Sequence, residues 1–422
     1  LYNKYKAYIF GNKNTFLYLN QWCRGVFFVF SYGLYKAFMK KIQMVDLQGQ
    51  YREIQSEVNE RFTSVLESAA FINGPEVQEF QKALEVYLGV KHVIPCANGT
   101  DALQIAMMGL GLQPGDEVIT ADFTFAATVE VIALLGLTPV LVDVLPDTFM
   151  IDPAAVASAI TPKTKAIVPV HLFGQTAPMD EIMEIAAKHN LKVIEDNAQA
   201  IGATFTSVNG TKKMAGTIGH VGATSFFPSK NLGCYGDGGA LFTNDDALAH
   251  TLRGIVNHGM YERYHHDVVG VNSRLDALQA AVLNAKLPRL DSYNTKRRTT
   301  AKAYNAAFNG HPDIELPKTV NGCEGICDSC DCHVFHQYTL KITHGKRDAL
   351  VAHLASEAIP CGVYYPIPLH RQKAYTNENY KETDFTVTNA LSEQVISLPM
   401  HTELDAAQIS HITKTILNFL NS

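Results

Sequence analysis

A lysine is normally a solvated, charged side chain, so one hemmed in by aromatic, proline and glycine residues invites a chemical explanation. Lys230 is set in this way within Thr224-Ser225-Phe226-Phe227-Pro228-Ser229-Lys230-Asn231-Leu232-Gly233, and a glycine-rich exit follows at Gly236-Asp237-Gly238-Gly239. Desolvation there would lower its pKa and leave a nucleophilic amine. A second segment, Val193-Ile194-Glu195-Asp196-Asn197-Ala198-Gln199, puts an acid pair directly after a short apolar run, so at least one carboxylate reaches a strand's carboxyl end. Alone it fits helix capping or metal ligation equally well. A third, Cys96-Ala97-Asn98-Gly99-Thr100-Asp101-Ala102-Leu103, sets a Gly-Thr pair at a helix start, where free N–H groups and a hydroxyl suit a phosphate. N-capping by Asn98 or Thr100 is the simpler account of that segment in isolation, and Asp101 must point away from a phosphate or cap. The fourth runs from Arg263-Tyr264-His265-His266 to Gly270-Val271-Asn272-Ser273-Arg274-Leu275-Asp276. Adjacent histidines rarely ligate one ion and no third ligand is near, so no metal is assigned there.

The elements that must position these groups are legible as an alternation. Val118–Thr120, Pro139–Val144, Ala166–Val170 and Val193–Glu195 are short apolar runs bounded by turn signals. Val77–Leu88, Thr100–Leu110, Thr128–Leu135, Pro153–Ile160 and Met179–Lys188 read as helices. Strands alternating with helices imply an α/β layer structure with a mainly parallel sheet and its ligand at the strands' carboxyl ends. Ala277–Leu290 reads as a helix leading into the basic stretch 294–302, and a loop-rich segment follows at 309–332. The strand-like Val334–Ile342 and the helical patterns of Lys346–Glu357 and Ala406–Leu420 suggest a smaller C-terminal domain.

Composition bounds the rest. The 422 residues are 47% hydrophobic and 18% charged, which excludes collagen-like, disordered and disulfide-stapled classes. Net charge is −6, giving no reason to expect a nucleic-acid partner, but it is unevenly spread. Residues 1–41 carry seven basic side chains and no acid, against a net −13 for the remainder. The apolar, aromatic stretch 16–38 is long enough to span a bilayer but is interrupted by Asn20, Gln21, Arg24 and Lys36. We read 1–38 as a leader outside the main fold, with a membrane contact expected only through it, and the remainder as cytoplasmic.

In order and spacing the four segments resemble the DegT/DnrJ/EryC1/StrS family of pyridoxal-phosphate sugar aminotransferases, over residues 39–422. The resemblance implies the aspartate-aminotransferase-like fold (fold type I). Its large domain, 39–290, would be built on a mainly parallel seven-stranded sheet, with a small α+β domain at 291–422. It implies that Lys230 forms the Schiff base with pyridoxal 5′-phosphate and that Asp196 pairs with the pyridinium nitrogen. Gln199 would bond the phenolic oxygen and Phe125 stack on the ring. Gly99, Thr100 and Ser225 would hold the phosphate, with Asn272 reaching it from the other subunit of a homodimer. L-Glutamate is the implied donor and a nucleotide sugar the acceptor. The fourth segment is similar to the branch that aminates UDP-2-acetamido-2-deoxy-3-oxo-glucuronate for surface polysaccharides, in which Arg274 would bind a carboxylate. A dTDP- or UDP-linked 3- or 4-keto-6-deoxy sugar, or a membrane-tethered regulatory homologue without turnover, are the alternatives.

Two features depart from the family pattern. Tyr364, beside Tyr365 in the expected substrate-facing segment, stands where the family usually has His and offers a phenolic hydroxyl in place of an imidazole. Cys323, Cys327, Cys330 and Cys332 fall within ten residues, 323–332, but not in the paired spacing of a zinc ribbon, so they are read as reduced thiols with no metal assigned. His333 and His336 are assigned to the strand that follows.

Overall fold

The computed structural model describes residues 40–320 and 331–422. The N-terminal leader and Cys323, Cys327 and Cys330 therefore lie outside the described residues. Two helices open the fold, α1 (Leu47–Ser68) and α2 (Pro75–Leu88). The second is bounded by Pro75 at its first turn and by Gly89, whose φ of +67° ends it in the left-handed region.

A layered core follows, made of β1 (His92–Cys96), α3 (Gly99–Gly109), β2 (Glu117–Ala121), α4 (Ala127–Leu134), β3 (Thr138–Val142), α5 (Pro153–Ser158), β4 (Thr164–Val168), α6 (Met179–His189) and β5 (Lys192–Asp196). A small hairpin, β6 (Thr204–Thr206) and β7 (Lys212–Met214), leads to β8 (Val221–Ser225), β9 (Gly239–Thr243) and α7 (Asp246–Ile255). The seven-stranded sheet runs β1-β9-β8-β5-β4-β2-β3. Only β9 opposes the rest, pairing antiparallel with both β8 and β1.

Alternation along each strand feeds two different cores. Val93, Phe242, Ile119, Ile167 and Val193 face one side of the sheet, under α1, α2, α5, α6 and a later helix, α8 (Ala277–Lys286). Their neighbours Ile94, Leu241, Val118, Val168 and Ile194 face the other, under α3, α4 and α7. The strands are apolar on both faces because both faces are covered.

Beyond an exposed hairpin, β10 (Met260–Glu262) and β11 (His265–His266), α8 leads into α9 (Leu290–Phe308). A three-stranded antiparallel sheet follows, β12 (Ile314–Glu315), β13 (Tyr338–Ile342) and β14 (Val395–Leu398), with α10 (Arg347–Ser356), α11 (Thr386–Gln394) and α12 (Ala406–Leu420). Its core is Tyr304, Phe308, Tyr338, Leu340, Leu354, Ile396 and Ile416. Among the described residues no helix is long and apolar enough to cross a membrane.

One boundary needs correction. The strand expected from Val334 begins at Tyr338, so His333 and His336 precede it. Val334 N–H bonds Gly174 O (2.8 Å) and Arg297 Nη1 of α9 donates to the carbonyls of Phe335 and His336, so this segment is held by the Gly174 turn and α9 rather than by a ladder. Phe335, at φ +46°, could not continue an extended strand.

Candidate active site

The loops after β2, β4, β5 and β8 leave the same edge of the sheet, where ligands of open α/β folds bind. Because successive strand residues point to opposite faces, Glu195 and Asp196 part company at the end of β5. Glu195 turns inward, with no exposure. It accepts the N–H groups of Gly216, Ile218 and Gly219 (2.8, 2.6 and 2.5 Å) and pairs with His171 Nε2 at 2.8 Å. His171 Nδ1 accepts Ala177 N–H, so the ring's proton sits on Nε2, toward the carboxylate.

Asp196 turns to the other side and stays buried. Thr128 Oγ1 donates to its Oδ2 (2.8 Å) and Ala198 N–H to its Oδ1 (3.1 Å). Burial pushes its carboxyl above the ordinary value, opposed by those two hydrogen bonds and by the charge of Lys230.

Lys230 lies in a tight turn beyond β8. Its N–H bonds Phe227 O (2.8 Å), and Cys234 N–H closes the loop on Phe226 O (2.8 Å). Gly233 is required there because a Cβ would meet Pro228 O at 2.4 Å. Desolvation lowers the Lys230 amine to about 8, with the attraction of Asp196 acting against it. The pair is thus an amine made less basic and a carboxyl made less acidic by burial, with their mutual attraction opposing both shifts.

The phosphate-type cradle is assembled from three strand ends. Asn98 caps α3 by accepting Asp101 N–H (2.8 Å), which settles which residue caps and leaves the Gly99–Thr100 turn at the helix start. A Cβ on Gly99 would lie 2.6 Å from Ser225 Cβ, and one on Gly239 only 2.4 Å from Asn98 O. The glycines therefore let the start of α3, the end of β8 and the start of β9 close on one another.

The Phe125 ring is 58% exposed and stands 6.3 Å from the Tyr365 ring, an aromatic surface with room over it. Gln199 is oriented by Phe173, whose N–H donates to Oε1 at 2.6 Å, so Nε2 is directed to Tyr365 Oη (3.4 Å). Tyr364 folds back on Gly362, where a Cβ would come within 2.6 Å of its ring. A lysine, a buried acid, an anion cradle and an exposed aromatic face at one sheet edge fit pyridoxal phosphate group by group.

Arg274 and Asn272 lie on the segment entering α8, on either side of Ser273. Arg274 is half-buried, and among the described residues it has no ion pair with Asp276 or another acid. Asn272 is exposed, while its neighbour Ser273 is buried and accepts Ala97 N–H (3.0 Å). Cys332 is buried, and among the described residues no three His, Cys, Asp or Glu side chains are grouped to hold a metal.

The fold and the site define a pyridoxal-phosphate-dependent aminotransferase. The chain belongs to the DegT/DnrJ/EryC1/StrS aminotransferase family, whose model matches residues 52–417. It is 45% identical over 381 residues to the UDP-2-acetamido-2-deoxy-3-oxo-D-glucuronate aminotransferase of Pseudomonas aeruginosa, covering 89% of this chain and 100% of that one. It is 44% identical over 380 residues to a pleiotropic regulatory protein of Geobacillus stearothermophilus, covering 90% and 98%. The crystal structure of S. venezuelae DesV in complex with a ketimine intermediate superimposes with a TM-score of 0.84 at 37% identity, over 91% of this chain and 100% of that one.

Sequence reasoning missed Thr128, which opens the helical pattern Thr128–Leu135 but has no signal of its own until its hydroxyl is placed against Asp196 at the end of β5. It also missed the His171–Glu195 pair and the contact between Asp122 and His370, whose partners are 24 and 248 residues apart.

Proposed function

We propose that this sugar aminotransferase moves the amino group of L-glutamate to C3 of UDP-2-acetamido-2-deoxy-3-oxo-glucuronate, as a cytoplasmic homodimer serving surface-polysaccharide synthesis. The observation that carries the chemistry is the desolvated Lys230 amine beside buried Asp196. When bound, pyridoxal phosphate supplies an electron sink for the donor's α-carbon. Lys230 holds the cofactor between turnovers, and its released amine removes and returns the proton at that carbon. Asp196, oriented by Thr128, holds a proton on the ring nitrogen. Gln199 would bond the phenolic oxygen, Phe125 would cover the ring face, and Gly99, Thr100 and Ser225 would take the phosphate.

The substrate assignment is supported by the 45% identity to the Pseudomonas enzyme and by Arg274, whose fork lacks a protein carboxylate among the described residues and suits that of a uronate. Tyr364 and Tyr365 are assigned to the acceptor. The homodimer is supported by exposed apolar side chains at Phe71, Ile72, Tyr264, Val268 and Val269, and by the exposed position of Asn272. Amino-15N glutamate tests the reading directly, with the product followed by mass spectrometry. One 15N in the UDP-amino-uronate is expected. Transfer only to a 6-deoxy keto sugar would replace the substrate.

A second reading is favoured by the similarity to the Geobacillus regulatory protein: a chain that keeps the site and acts without turnover. Loss of all amination with cofactor retained would establish it.

A further inference from the structure

Apart from the groups assigned above, a buried polar contact joins two loops of the site. Asp122, directly after β2, is 1% exposed, and His370, at the far end of the Tyr364–Leu369 segment, is also buried. His370 N–H donates to Asp122 Oδ1 at 2.7 Å and its Nδ1 stands 2.6 Å from Oδ2. One carboxylate thus fixes both the backbone and the ring of one residue. The ring is further stacked on Phe385, with centroids 4.3 Å apart. On its outer side Nε2 lies 3.6 Å from Glu382, which Arg371 and Asn389 hold.

Each end of this contact is short of a site residue. Phe125 is three positions beyond Asp122, and Tyr365 is five positions before His370. Between the two loops the Tyr365 ring meets Phe123 edge-on at 6.0 Å and Phe125 at 6.3 Å, contacts that are weakly directional. Leu369 N–H reaches Asp122 O only at 3.4 Å. The short, two-point hydrogen bond is what sets the distance and angle between the loops.

We infer that Asp122 and His370 are positioning residues that lock Tyr365 against Phe125, so that the acceptor sugar meets a cofactor face of fixed geometry. The inference rests on the aminotransferase reading above. A buried ion-type pair adds little net stability over an apolar pair of like shape, so a structural role alone gives weak grounds for this one. A displacement of about an ångström in a positioned group can cost up to about 10²-fold in rate.

The test uses cofactor-loaded enzyme and three variants. His370→Phe keeps the stack on Phe385 and removes the Nδ1 donor. Asp122→Asn removes the charge. His370→Asn retains a donor near the Nδ1 position. Two readouts are taken: steady-state constants for the UDP-3-oxo uronate, and the induced circular dichroism of the bound cofactor, which reports the ring's asymmetric packing without turnover. His370→Phe and Asp122→Asn are expected to raise KM for the sugar about tenfold or more and to weaken the dichroic band. The glutamate half-reaction should stay within about threefold, and His370→Asn should recover most of the KM. A lowered melting temperature with unchanged KM and dichroism would overturn the inference, as would equal losses in the two half-reactions. If the unaltered enzyme fails to aminate the uronate, the substrate reading falls while the dichroic band still decides the positioning role.

Discussion

The two carboxylates that end β5 are neighbours in sequence and opposites in circumstance. Glu195 is saturated: three backbone N–H groups and His171 surround it, so its charge is spent holding the 216–219 turn and the 171–177 loop in place. Asp196 has two donors, from Thr128 and Ala198, and shares its buried space with a lysine. A saturated buried carboxylate is inert scaffold. An incompletely satisfied one, pushed up by burial and facing a desolvated amine, is poised to exchange or hold a proton. One residue of strand alternation separates scaffold from chemistry.

Replacing the amine is the most severe way to break that comparison. Lys230→Ala should lower amination at least ~10³-fold while leaving the fold intact, read by single-turnover assay alongside far-ultraviolet circular dichroism. Asp196→Asn preserves shape and the Thr128 bond but removes the charge proposed to face the ring nitrogen, and kcat should fall about 10²-fold or more. Near-normal turnover would mean that another group holds that proton.

Glu195→Gln should do the reverse. It forces an NH2 group among N–H donors, so unfolding in urea should show a loss of about 2–3 kcal/mol, with the folded fraction turning over within about threefold of normal. A catalytic collapse without loss of stability would erase the distinction between the two acids.

The smallest effect sharpens the amine itself. With Lys230 at about 8 rather than the ordinary 10.5, its neutral fraction at neutral pH is roughly two orders of magnitude above that of an exposed lysine. Only the neutral form captures an aldehyde. Capture of pyridoxal phosphate by cofactor-free protein should therefore speed up with pH and level off just above 8, followed by stopped-flow absorbance. A rate still climbing steeply beyond pH 9 would show an unperturbed amine.

Much of this was legible in the sequence because the signals are local. The runs at Val118–Thr120, Pro139–Val144, Ala166–Val170 and Val193–Glu195 each fall on a strand of the sheet to within a few residues, since burial on both faces demands continuous apolar stretches. The apolar frame around Lys230 foretold its desolvation. What escaped lacked a local mark. The 22-residue α1 buries only Ile54, Val58 and Val65, too sparse a stripe to stand out. Antiparallel β9, Gly239–Thr243, begins in a glycine run that reads as a loop, because Gly239 packs closely against Asn98 and Gly99, and Gly238 against Phe226, Cys234 and Leu275. The Asp122–His370 and His171–Glu195 contacts depend on which strand ends the topology gathers, and spacing in one chain carries no trace of that.

A fully buried lysine elsewhere supplies the control for the central claim. Lys286 is 1% exposed and is also lowered to about 8 by burial, yet its Nζ is bonded to Gly233 O at 2.7 Å and lies 4.7 Å from the Tyr235 ring centre. Two amines of similar basicity therefore differ in whether they are free to react. Borohydride reduction of the cofactor-loaded enzyme, followed by peptide mass mapping, discriminates them. The account predicts the cofactor mass on the peptide holding Lys230 and nowhere else; its appearance on Lys286, or on no lysine at all, would contradict it.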